Sequence, residues 1–102
     1  MQLIEIFLPV FDNENKEFSK ELFKQTYDEL INEFGGLTAY TRAPMQGFWQ
    51  KEDNKIRVDE LIIYEIMDDH FSTDWWCNYR VSLEKRFTQE RLIIRTYPIK
   101  LL

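Results

Sequence analysis

Two segments of this chain are apolar on both faces of an extended strand. Residues 1–10 place isoleucine, leucine and phenylalanine at both odd and even positions, and residues 56–67 do the same. Because successive side chains of a strand point to opposite faces, apolar residues at both parities indicate a strand that is covered on both sides. We therefore expect both segments to be central strands of one sheet.

Each of these segments is followed by the pattern of an amphipathic helix. Apolar residues recur at spacings of three and four in residues 18–34 and again in residues 72–87. Ser19 and Ser72 are the expected N-caps, because a serine hydroxyl can accept a hydrogen bond from the first turn. The pair Gly35-Gly36 follows the first helix, and glycine readily adopts the positive φ that ends a helix.

Two shorter segments complete the predicted sheet. Residues 37–43 and 92–97 alternate as strands, and Pro44 and Pro98 are expected to end them. The order strand, helix, strand, strand, helix, strand predicts a ferredoxin-like α+β fold, a four-stranded antiparallel sheet with two helices on one face. The first and third strands are then central. Residues 1–102 are expected to form a single domain, since 102 residues match one domain in length.

The sheet face that the helices leave uncovered is predicted to carry much apolar surface. A soluble monomer seldom exposes such a patch, so we expect a second copy to pack against it, sheet to sheet, in a homodimer. The strand parities assign the following residues to this uncovered face: Leu3, Glu5, Phe7, Ile63, Glu65, Met67, Ile93, Arg95 and Tyr97.

Three charged residues interrupt the uncovered face. With the first strand between the third and the fourth, Glu5 is within cross-strand reach of both Glu65 and Arg95. Two carboxylates beside a guanidinium in a dimer cavity are suited to bind a small polar ligand, or to hold one proton at a raised pKa. The alternative is a structural ion pair with a second carboxylate that reaches solvent.

A second group of candidate ligand-binding residues lies around the second strand. Tyr40 and Arg42 share one face of this strand with Thr38, close in sequence to the aromatic Trp49. An aromatic wall and a cation can line the mouth of a ligand pocket. The alternative is that these are ordinary polar residues of an edge strand, which prevent unwanted pairing.

Composition and charge exclude several classes of protein. The 13 basic and 18 acidic residues give a net charge of −5, which disfavours nucleic acid and anionic membranes as partners. No apolar stretch approaches the length of a membrane span, and the first residues lack the basic start of a secretory signal. The one cysteine, Cys77, cannot form an internal disulfide. We therefore expect a cytoplasmic protein.

No cofactor fingerprint or recognised metal spacing occurs in the sequence, so neither a cofactor nor a metal is predicted. The acidic loop before the second helix is the weakest candidate for a metal site. Its oxygen and nitrogen ligands also suit a structural role beside a helix N-terminus. The candidate ligands in this loop and at the start of the second helix are Asp68, Asp69, His70 and Asp74.

Cys77, on the second helix, is expected to be a buried or inert thiol.

The second helix carries further residues whose surroundings can be predicted. The adjacent Trp75 and Trp76 lie about 100° apart on a helix, so Trp76 is expected in the core and Trp75 at its margin. Arg80, Glu84 and Arg95 are expected to form charged contacts between this helix and the last strand.

Several short motifs together resemble a family of small bacterial proteins for which no activity is established. The motifs span nearly the whole chain: Phe34-Gly-Gly-Leu-Thr-Ala-Tyr40, Gly47-Phe-Trp49, Asp59, Trp75-Trp76, Tyr79-Arg80, Leu83-Glu84-Lys-Arg-Phe87-Thr-Gln89-Glu and Ile93-Ile-Arg95. At fold level the chain resembles the dimeric α+β barrel group, which includes cofactor-free monooxygenases, haem enzymes and stress-response proteins. The resemblance implies a sheet-to-sheet dimer and supplies no catalytic residues, because a fold does not fix a function.

The residues leave three functions open. The first is a homodimer that binds a small polar or aromatic ligand between its sheets through Glu5, Glu65, Arg95, Tyr40, Arg42 and Trp49. The second is a cofactor-independent enzyme of monooxygenase or isomerase type, in which one carboxylate is the general base. The third is an interaction or regulatory module whose apolar sheet face, or whose Trp75 margin, docks another protein.

Overall fold

Four strands and two helices make up the structure. The computed structural model describes residues 1–50 and 55–102, and for residues 42–45, 56 and 57 it describes the backbone alone. The elements in chain order are β1 (Gln2–Pro9), α1 (Lys20–Phe34), β2 (Thr38–Gln50), β3 (Ile56–Asp68), α2 (Thr73–Arg86) and β4 (Ile94–Pro98).

The strands form one antiparallel sheet in the order β2-β3-β1-β4. The two segments with apolar residues at both parities, β1 and β3, are the central strands, as predicted. The element order and the sheet order together are those of the ferredoxin-like α+β fold, so the predicted fold is confirmed.

Both helices pack on the same face of the sheet and bury the even-numbered residues of the central strands. At the centre of this core Phe87, which follows α2, is fully buried. The rings of Phe18 and Phe23 each lie 5.3 Å from its ring, so the start of α1 is packed against the end of α2. The strand residues in this core are Ile4, Ile6, Leu8, Ile62, Tyr64 and Ile66.

The two predicted N-caps behave differently. The hydroxyl of Ser72 accepts a hydrogen bond from the backbone N–H of Trp75 at 3.2 Å, so it caps α2. Ser19 occupies the N-cap position of α1 but makes no side-chain capping bond. The start of α1 therefore depends on the packing of its aromatic residues more than on a cap.

The end of α1 uses one glycine of the predicted pair. Gly35 adopts the left-handed conformation, with φ of 85°, and its N–H donates to the carbonyl of Ile31 at 2.7 Å. Gly36 has no positive φ. The conformational freedom of glycine is thus required at Gly35 alone.

β2 is longer than predicted, because Pro44 does not end it. The strand continues to Gln50, and its pairing with β3 is irregular between Tyr40 and Met45. Over this stretch β2 advances five residues while β3 advances two, from Ile63 to Leu61. A proline without an N–H is tolerated at such an irregularity on an edge strand. The polar run of residues 51–55 in the sequence predicts a turn between this strand and the next, and residues 51–54 of that turn lie outside the described part of the chain.

β4 is shorter than predicted. It begins at Ile94, two residues later than expected, because Leu92 turns into the helix-side core and is 3% exposed. The N–H of Leu92 donates to Oε2 of Glu84 at 2.9 Å. Glu84 therefore contacts the segment before β4. Arg95 lies on the sheet face away from the helices, where it pairs with Glu5, so the predicted charged contact of Arg80 and Glu84 with Arg95 is wrong.

Candidate functional site

One row of polar side chains crosses the sheet on its uncovered face. In the strand register Glu5 of β1 stands opposite Glu65 of β3 on one side and Arg95 of β4 on the other. Thr38 of β2 stands opposite Glu65 and completes the row, which we call the charged row. The predicted strand parity is therefore correct, and the three charged residues of the sequence hypothesis are neighbours.

Glu5 and Arg95 form an ion pair within this row. Nε of Arg95 donates to Oε1 of Glu5 at 2.8 Å, and the Glu5 side chain is 12% exposed while that of Arg95 is 62% exposed. The guanidinium carbon of Arg95 lies 4.7 Å from the centre of the Phe7 ring, a cation–π distance. The nearly buried Glu5 carboxylate is thus paired, and the guanidinium remains open to the outside.

Glu65 has a weaker partner. The hydroxyl of Tyr40 donates to Oε2 of Glu65 at 3.4 Å. The negative charge of Glu65 raises the pKa of the Tyr40 phenol above its usual value of 10.0, with burial as the second cause. The structure thus brings Tyr40, which the sequence analysis assigned to the second group of candidates, into contact with the row. The Arg42 side chain lies outside the described part of the structure.

The uncovered face exposes less apolar surface than its sequence predicts. Ile63 is 4% exposed, and Phe7 and Ile93 are half-buried. The guanidinium of Arg95 lies over the ring of Phe7. The apolar and aromatic side chains that remain exposed around the charged row are Tyr40, Met67 and Tyr97.

Trp49 does not join the charged row. It stands opposite Arg57, and Glu65 lies eight residues further along β3, about 26 Å away at about 3.3 Å per residue. A methyl group on Gly47 would lie 3.0 Å from Nε1 of Trp49 and 3.2 Å from Cδ1 of Leu61. The indole therefore folds back over Gly47 towards Leu61, far from the charged residues.

The acidic loop before α2 has a structural role. Asp68 is 7% exposed and accepts hydrogen bonds from Nε1 of Trp76 at 3.3 Å and from the backbone N–H of His70 at 2.9 Å. In the described residues, no three side chains of His, Cys, Asp or Glu come close enough together to hold a metal ion. The carboxylate of Asp68 thus joins β3 to α2.

The two other sequence candidates on α2, Trp75 and Cys77, differ in burial. Trp75 is half-buried, and its ring stacks on Tyr79 at 5.0 Å and meets Phe34 edge to face at 5.1 Å, so it lies at the core margin as predicted. Cys77 is exposed, so of the two alternatives the buried thiol is wrong, and the inert thiol stays a prediction.

A polar cleft of about 450 Å³ lies away from the charged row. It forms where the turn after β1 meets β2 and β3. No sequence pattern predicted it, because three separate segments supply its walls. Its lining residues are Pro9, Phe11, Asp12, Asn13, Asn15, Gln46, Val58, Asp59 and Glu60.

Neither of the two helices in the described residues is long and apolar enough to cross a lipid bilayer. No protein-family model matches the chain, and no curated protein matches it in sequence. The sequence family suggested by the motifs is therefore not confirmed, and the structural comparisons alone identify similar proteins.

Several solved structures share the fold. The divalent cation tolerance protein (Cut A1) from Thermus thermophilus aligns with a TM-score of 0.64 and 12% identity, over 97% of this chain and 84% of its own. A phage SAM lyase in complex with S-methyl-5'-thioadenosine aligns with a TM-score of 0.59 and 13% identity, over 94% of this chain and 79% of its own. The phage SAM lyase in its apo state aligns with a TM-score of 0.57, 15% identity and coverages of 94% and 78%. At such identities the likeness shows that these chains share a ferredoxin-like fold, and no activity follows from it.

Proposed function

We propose that residues 1–102 form a single cytoplasmic domain that associates as a homodimer through the uncovered sheet face and binds a small polar or aromatic ligand there. The contacts are Glu5, Glu65, Arg95 and Tyr40. Trp49 is left out of this set, since the strand register places it too far along the sheet.

The observation that supports this site is the charge pattern of the row. Glu5 and Glu65 stand directly opposite each other on neighbouring strands, and like charges in that position destabilise a sheet. Arg95 neutralises Glu5 at 2.8 Å, whereas Glu65 has the Tyr40 hydroxyl at 3.4 Å. Such an arrangement costs stability in the empty protein, and a ligand that supplies a positive group next to Glu65 would remove this cost.

The surroundings of the row narrow the chemistry of the ligand. Each copy carries two carboxylates and one guanidinium in the row, so one negative charge is left over. The exposed ring of Tyr40 lies beside Glu65, and the exposed ring of Tyr97 stands two residues along β4 from Arg95. A cation near aromatic faces gains cation–π attraction. The best fit is a small molecule with a cationic group and a planar or apolar body.

Two of the structural neighbours provide probes of known chemistry. One is a divalent cation tolerance protein, and the other is a SAM lyase in complex with S-methyl-5'-thioadenosine. A divalent cation tests an inorganic cation at the carboxylates, and S-methyl-5'-thioadenosine tests a planar heteroaromatic body. Both belong in a screen together with small aromatic amines.

Thermal shift measurements test the proposal. Wild type, Arg95→Ala and Glu65→Gln are screened with the same probes, and each variant is compared with its own ligand-free melting temperature. Arg80→Ala is the matched control, since it removes an exposed arginine from α2 on the opposite side of the sheet. We expect hits of the wild type to persist in Arg80→Ala and to weaken in the other two variants. Equal responses in all four proteins would refute the site.

A second candidate function is a cofactor-independent enzyme, and the burial of Glu5 favours it. A carboxylate that is 12% exposed beside Phe7 is partly shielded from water, which suits a general base in a dry cavity. Turnover of any hit should then be abolished in Glu5→Gln while binding persists. Turnover at the wild-type rate in Glu5→Gln would exclude this mechanism.

A further inference from the structure

Three charged residues in the row are evenly spaced. Glu65, Glu5 and Arg95 lie on β3, β1 and β4, three successive strands, and they are in register. Neighbouring strands are about 4.8 Å apart, so Glu5 stands midway between the other two. Read across the sheet, the charges are negative, negative and positive.

We propose that a second copy of this chain covers the uncovered face about a two-fold axis that runs parallel to β1, between the two sheets and above Glu5, so that Arg95 of each copy binds Glu65 of the other. A two-fold rotation about this axis reverses the row and places its positive end over the negative end of the second copy. A closed pair of this kind uses the same surface patch twice. The inference rests on the self-association proposed above and adds its geometry. The two paired rows together hold four carboxylates and two guanidinium groups, so two negative charges remain for the proposed cationic ligand.

The guanidinium of Arg95 can serve both carboxylates. Its Nε already donates to Glu5, and the N–H groups on its Nη atoms provide further donors. The side chain is 62% exposed, so those donors are accessible from outside the sheet. Packed sheets lie about 10 Å apart, a gap that an extended arginine and a glutamate bridge together.

The same rotation also matches the apolar residues on either side of the charged row. Leu3 has Met67 and Tyr97 as its register partners, and this apolar row lies on one side of Glu5. Phe7 and its neighbours Ile63 and Ile93 form the row on the other side. Because the axis runs along β1, it exchanges β3 with β4 and keeps each row at its own level, so it sets Met67 over Tyr97 and Ile63 over Ile93 of the second copy, with Leu3 over Leu3 and Phe7 over Phe7. The exposed Met67 and Tyr97 would thereby be buried against apolar partners.

Other positions of the axis match the charges less well. An axis between Glu65 and Glu5 would place these two carboxylates of opposite copies over each other, which is repulsive. An axis between Glu5 and Arg95 would pair those two residues across the copies and leave Glu65 beyond the edge strand β4. The axis above Glu5 is the one among these that gives Glu65 a cationic partner. It also sets Glu5 of the two copies over each other, and each of these carboxylates is already paired with Arg95 of its own chain at 2.8 Å.

Charge reversal tests the inference. Glu65→Arg and Arg95→Glu would each set like charges opposite one another twice in a homodimer, and we expect dimerisation to weaken at least about 100-fold. Mixing the two variants should restore the dimer, because every pair across the copies is then of opposite sign. Sedimentation equilibrium measures the dissociation constants, and circular dichroism verifies that each variant is folded. Glu60→Gln is the control on β3, at an exposed position of the other parity.

A second variant keeps the test decisive if Arg95→Glu fails to fold beside Glu5. The double variant Glu65→Arg/Arg95→Glu carries a reversed row that is again complementary to itself, so it should dimerise where Glu65→Arg alone does not. Single variants that dimerise as tightly as wild type would overturn this inference and leave the proposed self-association in place through another surface. A wild type that stays monomeric up to millimolar concentration would overturn both.

Discussion

The indole Nε1 of Trp76 donates a hydrogen bond to Oδ2 of Asp68 at 3.3 Å, and both side chains are buried. This contact joins the end of β3 to the first turn of α2. Oδ1 of the same carboxylate accepts from the backbone N–H of His70 at 2.9 Å. One acidic side chain therefore satisfies two donors that the fold would otherwise leave without an acceptor.

Removal of this carboxylate should destabilise the fold. We expect Asp68→Ala to lower the free energy of unfolding by about 1–3 kcal/mol, because the buried N–H of Trp76 loses its acceptor. Asp68→Asn keeps an acceptor oxygen and should cost less. Urea unfolding measures both variants, and equal losses in the two would show that the hydrogen bond to Trp76 contributes nothing.

The two adjacent glycines after α1 should respond differently to the same change. Gly35→Ala should cost about 1 kcal/mol, because an L-residue is strained at the φ of 85° found there. Gly36→Ala is the matched control. No heavy atom lies within 4 Å of a Cβ at either position, so the difference measures backbone conformation alone. We expect Gly36→Ala to be neutral or slightly stabilising in thermal unfolding. A larger loss in Gly36→Ala than in Gly35→Ala would contradict the structure.

The charged row could be predicted from the sequence because it depends on strand parity and strand order. Alternation places Glu5, Glu65 and Arg95 on one face, and the order of the elements makes β1 the strand between β3 and β4. Both rules are local or topological, so they need no knowledge of side-chain packing. The observed proximity of Glu5, Glu65 and Arg95 follows from these two rules alone.

The sequence did not predict the contacts that depend on how α1 and α2 are oriented about their own axes. Arg86 forms two hydrogen bonds with the carboxylate of Glu29, at 2.7 and 2.9 Å, and donates to the hydroxyl of Thr26 at 2.9 Å. The sequence predicted a charged contact for Arg80 of α2 instead. Helical periodicity identifies the apolar stripe of a helix, but it does not show which edge of that stripe faces the rest of the protein. The burial of Ile63 was missed as well, because strand parity places it on the uncovered face but does not give its exposure.

The pair of Arg86 and Glu29 should make stability depend on acidity. The hydrogen bonds from Arg86 are the main reason why the pKa of Glu29 lies below its usual value of 4.5. A lowered pKa in the folded state means that the stabilisation is present above pH 4.5 and is lost as the pH falls through the folded pKa. We therefore expect Arg86→Met to be less stable than wild type at pH 7, and the difference to shrink below about pH 4.

The expected loss in Arg86→Met is roughly 1 kcal/mol, discounted because the Glu29 side chain is 41% exposed. Lys24→Met is the control, since it breaks a surface pair with Asp28 at 2.7 Å in which both partners are more than half exposed. That variant should lose much less stability than Arg86→Met, because water screens an exposed ion pair. Denaturant unfolding across the pH range measures both, and a pH-independent difference for Arg86→Met would contradict the assignment to Glu29.

The contact between Tyr40 and Glu65 can be detected directly by titration. The charge of Glu65 is the largest cause that raises the pKa of the Tyr40 phenol above 10.0, so Glu65→Gln should move that pKa back towards 10.0. The ultraviolet absorbance of the phenolate reports it when each protein is compared with its own Tyr40→Phe counterpart, which isolates Tyr40 from the other tyrosines. Glu60→Gln, on the same strand but at the opposite parity, should leave the titration unchanged. If Glu65→Gln left it unchanged as well, Tyr40 would not lie beside this carboxylate in solution, and the proposed ligand site would lose its aromatic side.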